Sequence, residues 1–428
     1  MLIVDTALEA REKAGNPIRV SLFGAGQMGR GMVVQIEKHM TGMTVAVFYN
    51  RTLSKAIEAF KAAGVSDPVE ATSLKHANEL IAQGKHVVTD DPSIACQAEQ
   101  VEAILEVTGD VEFSAGVTLD AIAHGKHIIL QNAELDATVG PILKHKAEQA
   151  GLVYTNADGD QPGCTLNLFR WVKSIGVTPL LAGNLKGILD PYRTPETQAA
   201  FAKANGVTPH MATNFADGTK LSFEMALIGN ATGFGPLQRA MRGPKADFVN
   251  EACELFDYDE LLASGGCIDY LLGAEPGPGV FVLGHEPDPA RAEYLRYFKM
   301  GSGPLYCFYI PYHLPHLESP LSVARAVLFQ DPTVTPIGKP VVDVISIAKR
   351  DLKAGEELDG IGGFTCYGVV DNYAVSRQQN LLPIGISEGC KLTRNVAKDE
   401  PIGYADVTRP DAKLSDQLRA EQDAQFPA

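Results

Sequence analysis

The sequence lacks the features that mark a secreted, membrane-bound or nucleic-acid-binding chain. Its seven cysteines (Cys96, Cys164, Cys253, Cys267, Cys307, Cys366 and Cys390) are odd in number and include no CxxC pair. That pattern gives no zinc signature and suits a reducing compartment. No Lys/Arg-rich run is present and the net charge is −15, so a nucleic-acid backbone would be repelled. No apolar run approaches the ~20 residues of a membrane span, so no membrane partner is expected. The first residues, "MLIVDTALEAREKAG", have only a short apolar start before charges alternate, unlike a secretory signal. A cytoplasmic location is expected. An anionic small molecule stays compatible with the net charge, because a pocket needs only a few local cations.

What is present is a long chain of ordinary globular composition. Its 428 residues are too many for one core, and two or three domains are expected. Hydrophobic residues make up 45% and charged residues 21%, with no repeats or low-complexity segments.

"IRVSLFGAGQMGRGMVVQIEKH" reads as strand, glycine loop and helix. In the loop Gly24-Ala25-Gly26-Gln27-Met28-Gly29, the first glycine permits a tight turn. The second lets backbone approach a pyrophosphate, and the third lets the helix pack close to the strand. The helix start then offers free N–H groups and a positive dipole end, with Gln27 and Met28 beside them. A lone GxGxxG is weak. Here it follows a strand, opens a helix, and is followed ~20 residues later by a second strand, "TVAVFYN". That strand ends in "FYNRT", where a carboxylate for the adenosine ribose is absent. Arg51 offers a charged fork to a 2′-phosphate, with Asn50 and Thr52 adding hydrogen bonds, so NADP(H) is favoured over NAD(H). The alternative is a solvated surface arginine.

Strand and helix patterns continue to alternate: strands at 86–91, 103–109 and 127–132, helices at 117–127 and 137–151, and a last strand and loop at 152–163. The implied fold is α/β, a doubly wound parallel sheet. From about 164 the pattern changes to a second domain, with helices expected in "TLNLFRWVKSIG" and "KLSFEMALIGNATG". From 340 short strands and glycine turns suggest a small β-rich module, ending in a polar tail read as a peripheral helix or disorder.

Ligands in such sheets bind at the carboxyl ends of strands. "VTGD" places Thr108 and Gly109 on the nicotinamide side, and "QNAELD" offers Asn132 to the cofactor and Glu134 to substrate or metal. "NADGDQPG" offers Asp158, Asp160 and Gln161; the acids suit a metal or the orientation of a lysine, or else an Asx-type turn. In the second domain Lys186, and Lys220 with Asp217, are candidate acid–base groups. Each lysine alone is equally compatible with a snorkelling surface residue. Arg193 and Arg242 are candidate anion ligands. His313, His316 and Glu318 in "PYHLPHLESP" fit no common metal spacing; packing beside the cofactor or at a subunit interface is the favoured reading.

The run from "VSLFGAGQMGRG" through "VTGD", "AIAHGKHIILQNAE" and "YTNADGDQPG" resembles the homoserine dehydrogenase superfamily. "LKGILD", "DGTK" and "ESPLSVARAVLF" extend the resemblance over roughly 18–335, although the acid–lysine spacing in "DGTK" is three rather than the expected four. "ISIAKRDLKAGEELD" looks like a SAF-type β-clip module, and the combination is similar to deoxyxylulose-5-phosphate reductoisomerase-like (DRL) enzymes. The resemblance implies a Rossmann domain over 1–163, an α+β catalytic and dimerisation domain over 164–318, a returning helix over 319–339 and a SAF-like domain over 340–428. It also implies a homodimer using NADPH and a divalent metal (Mg²⁺ or Mn²⁺, on Glu134, Asp158 and Asp160) to rearrange and reduce a small phosphorylated ketose. The alternatives are homoserine dehydrogenase activity, another NADP-dependent oxidoreductase of a sugar derivative, and a non-catalytic NADP-binding sensor.

Overall fold

A computed structural model describes residues 3–410 and 413–427. The chain divides into two compact units, one of residues 1–160 and 314–335, the other of residues 161–313 and 336–428. Among the described residues no helix is long and apolar enough to cross a membrane.

The first unit is built on seven strands: β1 (Ile18–Phe23), β2 (Met43–Tyr49), β3 (Val69–Glu70), β4 (Val87–Thr89), β5 (Ala103–Glu106), β6 (His127–Leu130) and β7 (Tyr154–Asn156). They pair in parallel in the order β3-β4-β2-β1-β5-β6-β7. The order reverses beside β1, which is the switch point where a doubly wound sheet takes its ligand. The strands are apolar nearly throughout because helices cover both faces. The α/β class and parallel sheet read from the sequence are present.

Helix starts differ from the sequence reading for a consistent reason. The expected helix at 117–127 runs Val111–Ala123, because Asp110 caps it by accepting from Phe113 N–H at 2.8 Å. The one expected at 137–151 runs Ala133–Gln149, capped by Asn132 on Leu135 N–H at 3.0 Å. In both, a polar side chain at the strand end satisfies the first turn, so the helix begins before its apolar periodicity is visible. β3, only two residues long, carried no readable pattern.

The second unit holds a mixed sheet of β8 (Thr178–Lys186), β9 (Cys267–Leu272), β10 (Val280–His285) and β11 (Leu305–Ile310), in the order β11-β10-β8-β9. β8 pairs in parallel with β9 and antiparallel with β10. Two apolar clusters line this unit's core, one including Leu181, Leu185 and Phe281, the other Val172, Val282 and Tyr306. Residues 336–428 add an antiparallel pair, β12 (Val342–Ala348) and β13 (Cys366–Asn372). The polar tail is a helix over Leu414–Gln425, as one of its two readings expected, with one face exposed and the other buried. Its Arg419 is buried against Asp343 at 3.0 Å, and Asp343 also accepts from Ser376 at 3.0 Å. A charge that leaves water needs such a partner, and the polar composition hid it.

One buried acid in the first unit has a measurable consequence. Asp136 lies beside Tyr154 and accepts from Asn156. Burial pushes its carboxyl from the ordinary 3.8 up to about 7, against the lowering by these two neighbours. The folded state therefore holds the proton more tightly than the unfolded chain. Stability is full below about pH 4 and declines as the pH climbs toward 7. Asp136→Asn should abolish that decline, gaining about 2–4 kcal/mol over wild type at pH 8 and little at pH 4. Thermal denaturation at the two pH values checks this, and an equal change at both would refute it.

Candidate active site

In the first unit the glycine turn is shaped by contact. Gly24 has φ +103°, a conformation that favours glycine, and its N–H donates to Tyr49 C=O at 3.0 Å. A Cβ on Gly29 would lie 1.8 Å from the Gly24 carbonyl oxygen, so only glycine lets the helix Gln27–His39 start there. Gly26 is exposed, stands at the N-cap with no side-chain cap, and a Cβ on it would meet nothing within 4 Å. The first-turn N–H groups thus carry no side-chain partner at the cap and face an open approach. These features fit a dinucleotide pyrophosphate.

The β2 corner departs from expectation in one residue. Asn50 accepts from Ala25 N–H at 2.9 Å and donates to Thr52 C=O at 2.8 Å. Its amide ties the glycine turn to the corner and is not directed to a ribose phosphate. Arg51 and Thr52 are exposed, and Thr52 stands at the N-cap of the helix Leu53–Ala62 without capping it. A cation and an uncapped helix start therefore lie together where the expected 2′-phosphate group would bind.

The far wall is polar and buried. Thr108 Cγ2 would lie 3.2 Å from a Cβ on Gly24, and Gly109 is exposed with φ +74°. Met28 meets the Gln131 amide at 3.7 Å. Asn132, expected to touch the cofactor, is 1% exposed and donates to Glu106 at 3.0 Å while capping its helix. It positions the wall from behind. Glu106, missed in the sequence, is fully buried; its one signal was an acid inside the apolar run "AILEVTG".

The proposed metal set does not assemble. Among the described residues Glu134, Asp158 and Asp160 do not form a cluster tight enough to share an ion. Asp158 lies 3.7 Å from the Arg325 guanidinium, which also binds Asp331 at 2.8 Å, and accepts from Gly159 N–H at 2.9 Å. Glu134 is buried at the helix start Ala133–Gln149, and Asp160 is half-buried. His316 packs its ring against Gly31, where a Cβ would lie 2.0 Å from its Cδ2. Burial lowers its pKa, opposed by a hydrogen bond to the Gln27 backbone. His313 lies 3.4 Å from the Pro278 carbonyl in the second unit.

The second unit gathers an acid–base cluster. Lys186 ends β8, Gln161 opens the helix Gln161–Ser174, and Glu224 sits in the second turn of the helix Thr219–Thr232. Lys186 Nζ donates to Gln161 Oε1 at 2.5 Å and to Glu224 Oε2 at 2.8 Å. Gln161 is oriented by donating to Gly279 C=O at 3.1 Å. Asn184, on the same face of β8 as Lys186, donates to Glu224 at 3.3 Å. Lys220, one turn before Glu224, lies on the same helix face by spacing and is half-buried. Glu224 and Asn184 were missed; each is a polar residue inside an apolar run, "LSFEMAL" and "LLAGNL".

The remaining candidates are occupied elsewhere. Asp217 is buried against Lys349 at 2.9 Å, and Lys349 also donates to the Arg193 and Gly363 carbonyls, each at 2.8 Å. Burial raises the Asp217 pKa, opposed chiefly by Lys349. This acid fixes the helix start and the chain around Arg193 instead of standing open to a substrate. Arg193 pairs with Asp190 at 2.9 Å, and Arg242 grips Glu260 with two bonds of 2.7 and 2.5 Å.

Residues 159–319, which contain the Lys186 cluster, match the family model described as "Oxidoreductase DRL, catalytic domain". That stretch is similar to a DRL-type oxidoreductase catalytic domain. The chain is also similar to homoserine dehydrogenase from Bacillus subtilis (strain 168), at 28% identity over 134 residues, 31% of this chain. A second homoserine dehydrogenase, from Synechocystis sp., is 30% identical over 135 residues, 32% of this chain. In both cases the match spans 28% of the relative's own length. Among solved structures, a probable dehydrogenase from Thermotoga maritima aligns at TM-score 0.40 and 10% identity, covering 75% of this chain and 91% of that one. Homoserine dehydrogenase from S. aureus aligns at TM-score 0.30 and 16% identity, covering 50% of each chain.

The cluster predicts a separation of binding from turnover. Lys186→Ala and Glu224→Gln are each expected to lower turnover ~10²–10⁴-fold, the range of a positioned acid or base, while dinucleotide binding in the first unit persists. Steady-state rates beside calorimetric titration with NADPH check this. Rates within a few-fold of wild type in both variants would remove the cluster from the chemistry.

Proposed function

We propose that the protein is an NADPH-dependent reductoisomerase that converts 1-deoxy-D-xylulose 5-phosphate to 2-C-methyl-D-erythritol 4-phosphate. The observation that carries this reading is Lys186 held between Gln161 and Glu224 inside the DRL-type segment. The bound dinucleotide supplies hydride. Lys186 would donate a proton to the carbonyl oxygen that becomes an alcohol and regain it from solvent, while the Glu224 carboxylate holds the side chain in place. Gln161 and Asn184 hold the pair in register. Among the described residues Glu134, Asp158 and Asp160 do not form one tight group, so none of these residue roles depends on a metal. The reading includes a cytoplasmic homodimer.

A second reading, reduction of aspartate semialdehyde, is favoured by the two homoserine dehydrogenase relatives. One assay separates the two. NADPH absorbance is followed with each substrate in parallel, with Mg²⁺ or Mn²⁺ and with a chelator. Oxidation with the ketose phosphate alone is expected. Oxidation with the semialdehyde alone would replace this reading, and a rate that survives the chelator would dispense with the metal.

Cofactor choice rests on Arg51. Arg51→Ala should weaken NADPH by ~1.5–3 kcal/mol, the worth of a charge-assisted hydrogen bond, and leave NADH almost unchanged. Equal weakening of both would mean the corner does not hold a 2′-phosphate.

A further inference from the structure

Glu106 ends β5, the strand next to β1 on the far side of the switch point, and it is fully buried. Every neighbour bonded to its carboxyl can donate. Thr108 gives both its backbone N–H, at 2.7 Å, and its hydroxyl. Asn132 gives its amide N–H at 3.0 Å. The amide's orientation is fixed, because its oxygen accepts from Leu135 N–H. Ser114 adds a further bond. Thr108 N–H and the Asn132 amide can only donate, one to each carboxyl oxygen, which favours an ionised group, whereas the two hydroxyls can donate or accept. Burial raises the carboxyl's pKa above its ordinary value, and these bonds oppose the rise. The starts of the helices Val111–Ala123 and Ala133–Gln149, where Ser114 and Asn132 sit, add favourable partial charge.

All of these partners are neutral: a threonine, an asparagine and a serine. When ionised, the carboxylate is a buried negative charge with no cationic side chain among its bonded partners, directly behind the loop that lies against Gly24. A charge in such a medium acts strongly on any ligand charge that changes nearby. The nicotinamide ring is that ligand: it is cationic when oxidised and neutral after it has taken hydride. We propose that Glu106 sets the redox preference of the bound dinucleotide, binding the oxidised form more tightly than a neutral residue would and so favouring hydride release to substrate. This rests on the dinucleotide reading of the glycine turn and adds a positioning and electrostatic residue to it.

The test is a ratio. Wild type and Glu106→Gln are each titrated calorimetrically with NADP⁺ and, separately, with NADPH. The glutamine variant is expected to raise Kd(NADP⁺)/Kd(NADPH) about tenfold, which is a shift of ~30 mV in the bound two-electron couple. Glu106→Asp, which keeps the charge on a shorter arm, should keep the wild-type ratio even where both affinities fall. A purely structural role would weaken both nucleotides alike and leave the ratio unmoved, which overturns the inference. Should Glu106→Gln not fold, Thr108→Val removes one donor and disfavours the charge. The ratio should then move in the same direction, and no movement is equally fatal. Wild type that binds neither nucleotide would sink the dinucleotide reading itself, an outcome distinct from an unchanged ratio.

Discussion

The first unit depends on one steric constraint: the helix Gln27–His39 begins so close to β1 that a Cβ at residue 29 would lie 1.8 Å from the Gly24 carbonyl oxygen. This approach fixes where the first helical turn points. It also places Gly24 against Thr108 and brings Ala25 N–H to the Asn50 side chain. The corner after β2 and the wall behind it are both held to that turn by short contacts. A larger residue at position 29 would displace all of them together. The glycine motif is therefore a packing requirement first, and the open approach to the helix start follows from it.

The second unit manages charge differently. Two of its ion pairs are deeply buried, each with extra neutral donors or acceptors. Lys349 fills all three of its donors with Asp217 and two carbonyls. Arg419 and Asp343 are paired, with Ser376 completing the acid. Buried pairs of this kind add little net stability over apolar packing, but removing one partner strands the other, typically at ~3–5 kcal/mol. The Lys349 contacts tie residues 336–428 to Asp217 and Arg193, while the Arg419–Asp343 pair closes that segment on itself; apolar periodicity registers neither.

That contrast explains what could be read from the sequence. The parallel sheet and the glycine turn were legible, because each is encoded locally by an apolar run or a glycine spacing. Asn50 and Asn132 were found as positions but misread in role. Their partners, Ala25 and Glu106, are 25 and 26 residues away, and only the fold brings them together. Asp217 looked like a lysine's neighbour in "DGTK", yet the lysine it pairs with is Lys349, 132 residues on. Glu224 and Glu106 were overlooked for one reason: an acid within an apolar run registers as a blemish in the pattern, although a buried carboxylate must be answered by specific donors.

The pairing of cations also bears on how an acidic chain would hold an anionic substrate. Arg193 and Arg242 already face Asp190 and Glu260, and both pairs are partly exposed, where solvent leaves such contacts worth little. A phosphate could exchange for either carboxylate at small loss. Lys186 is different. Glu224 is buried, fixed by Asn184 and shielded from water, so its hold on the ammonium is hard to replace. A phosphate seated on Lys186 would have to approach the Glu224 charge as well. The arrangement suits a neutral oxygen that acquires charge as it is reduced, since the ammonium can meet that charge while Glu224 keeps the resting pair neutral. By this reasoning Lys186 suits a carbonyl under reduction, and an anionic group on a substrate would suit cations whose partners can be released.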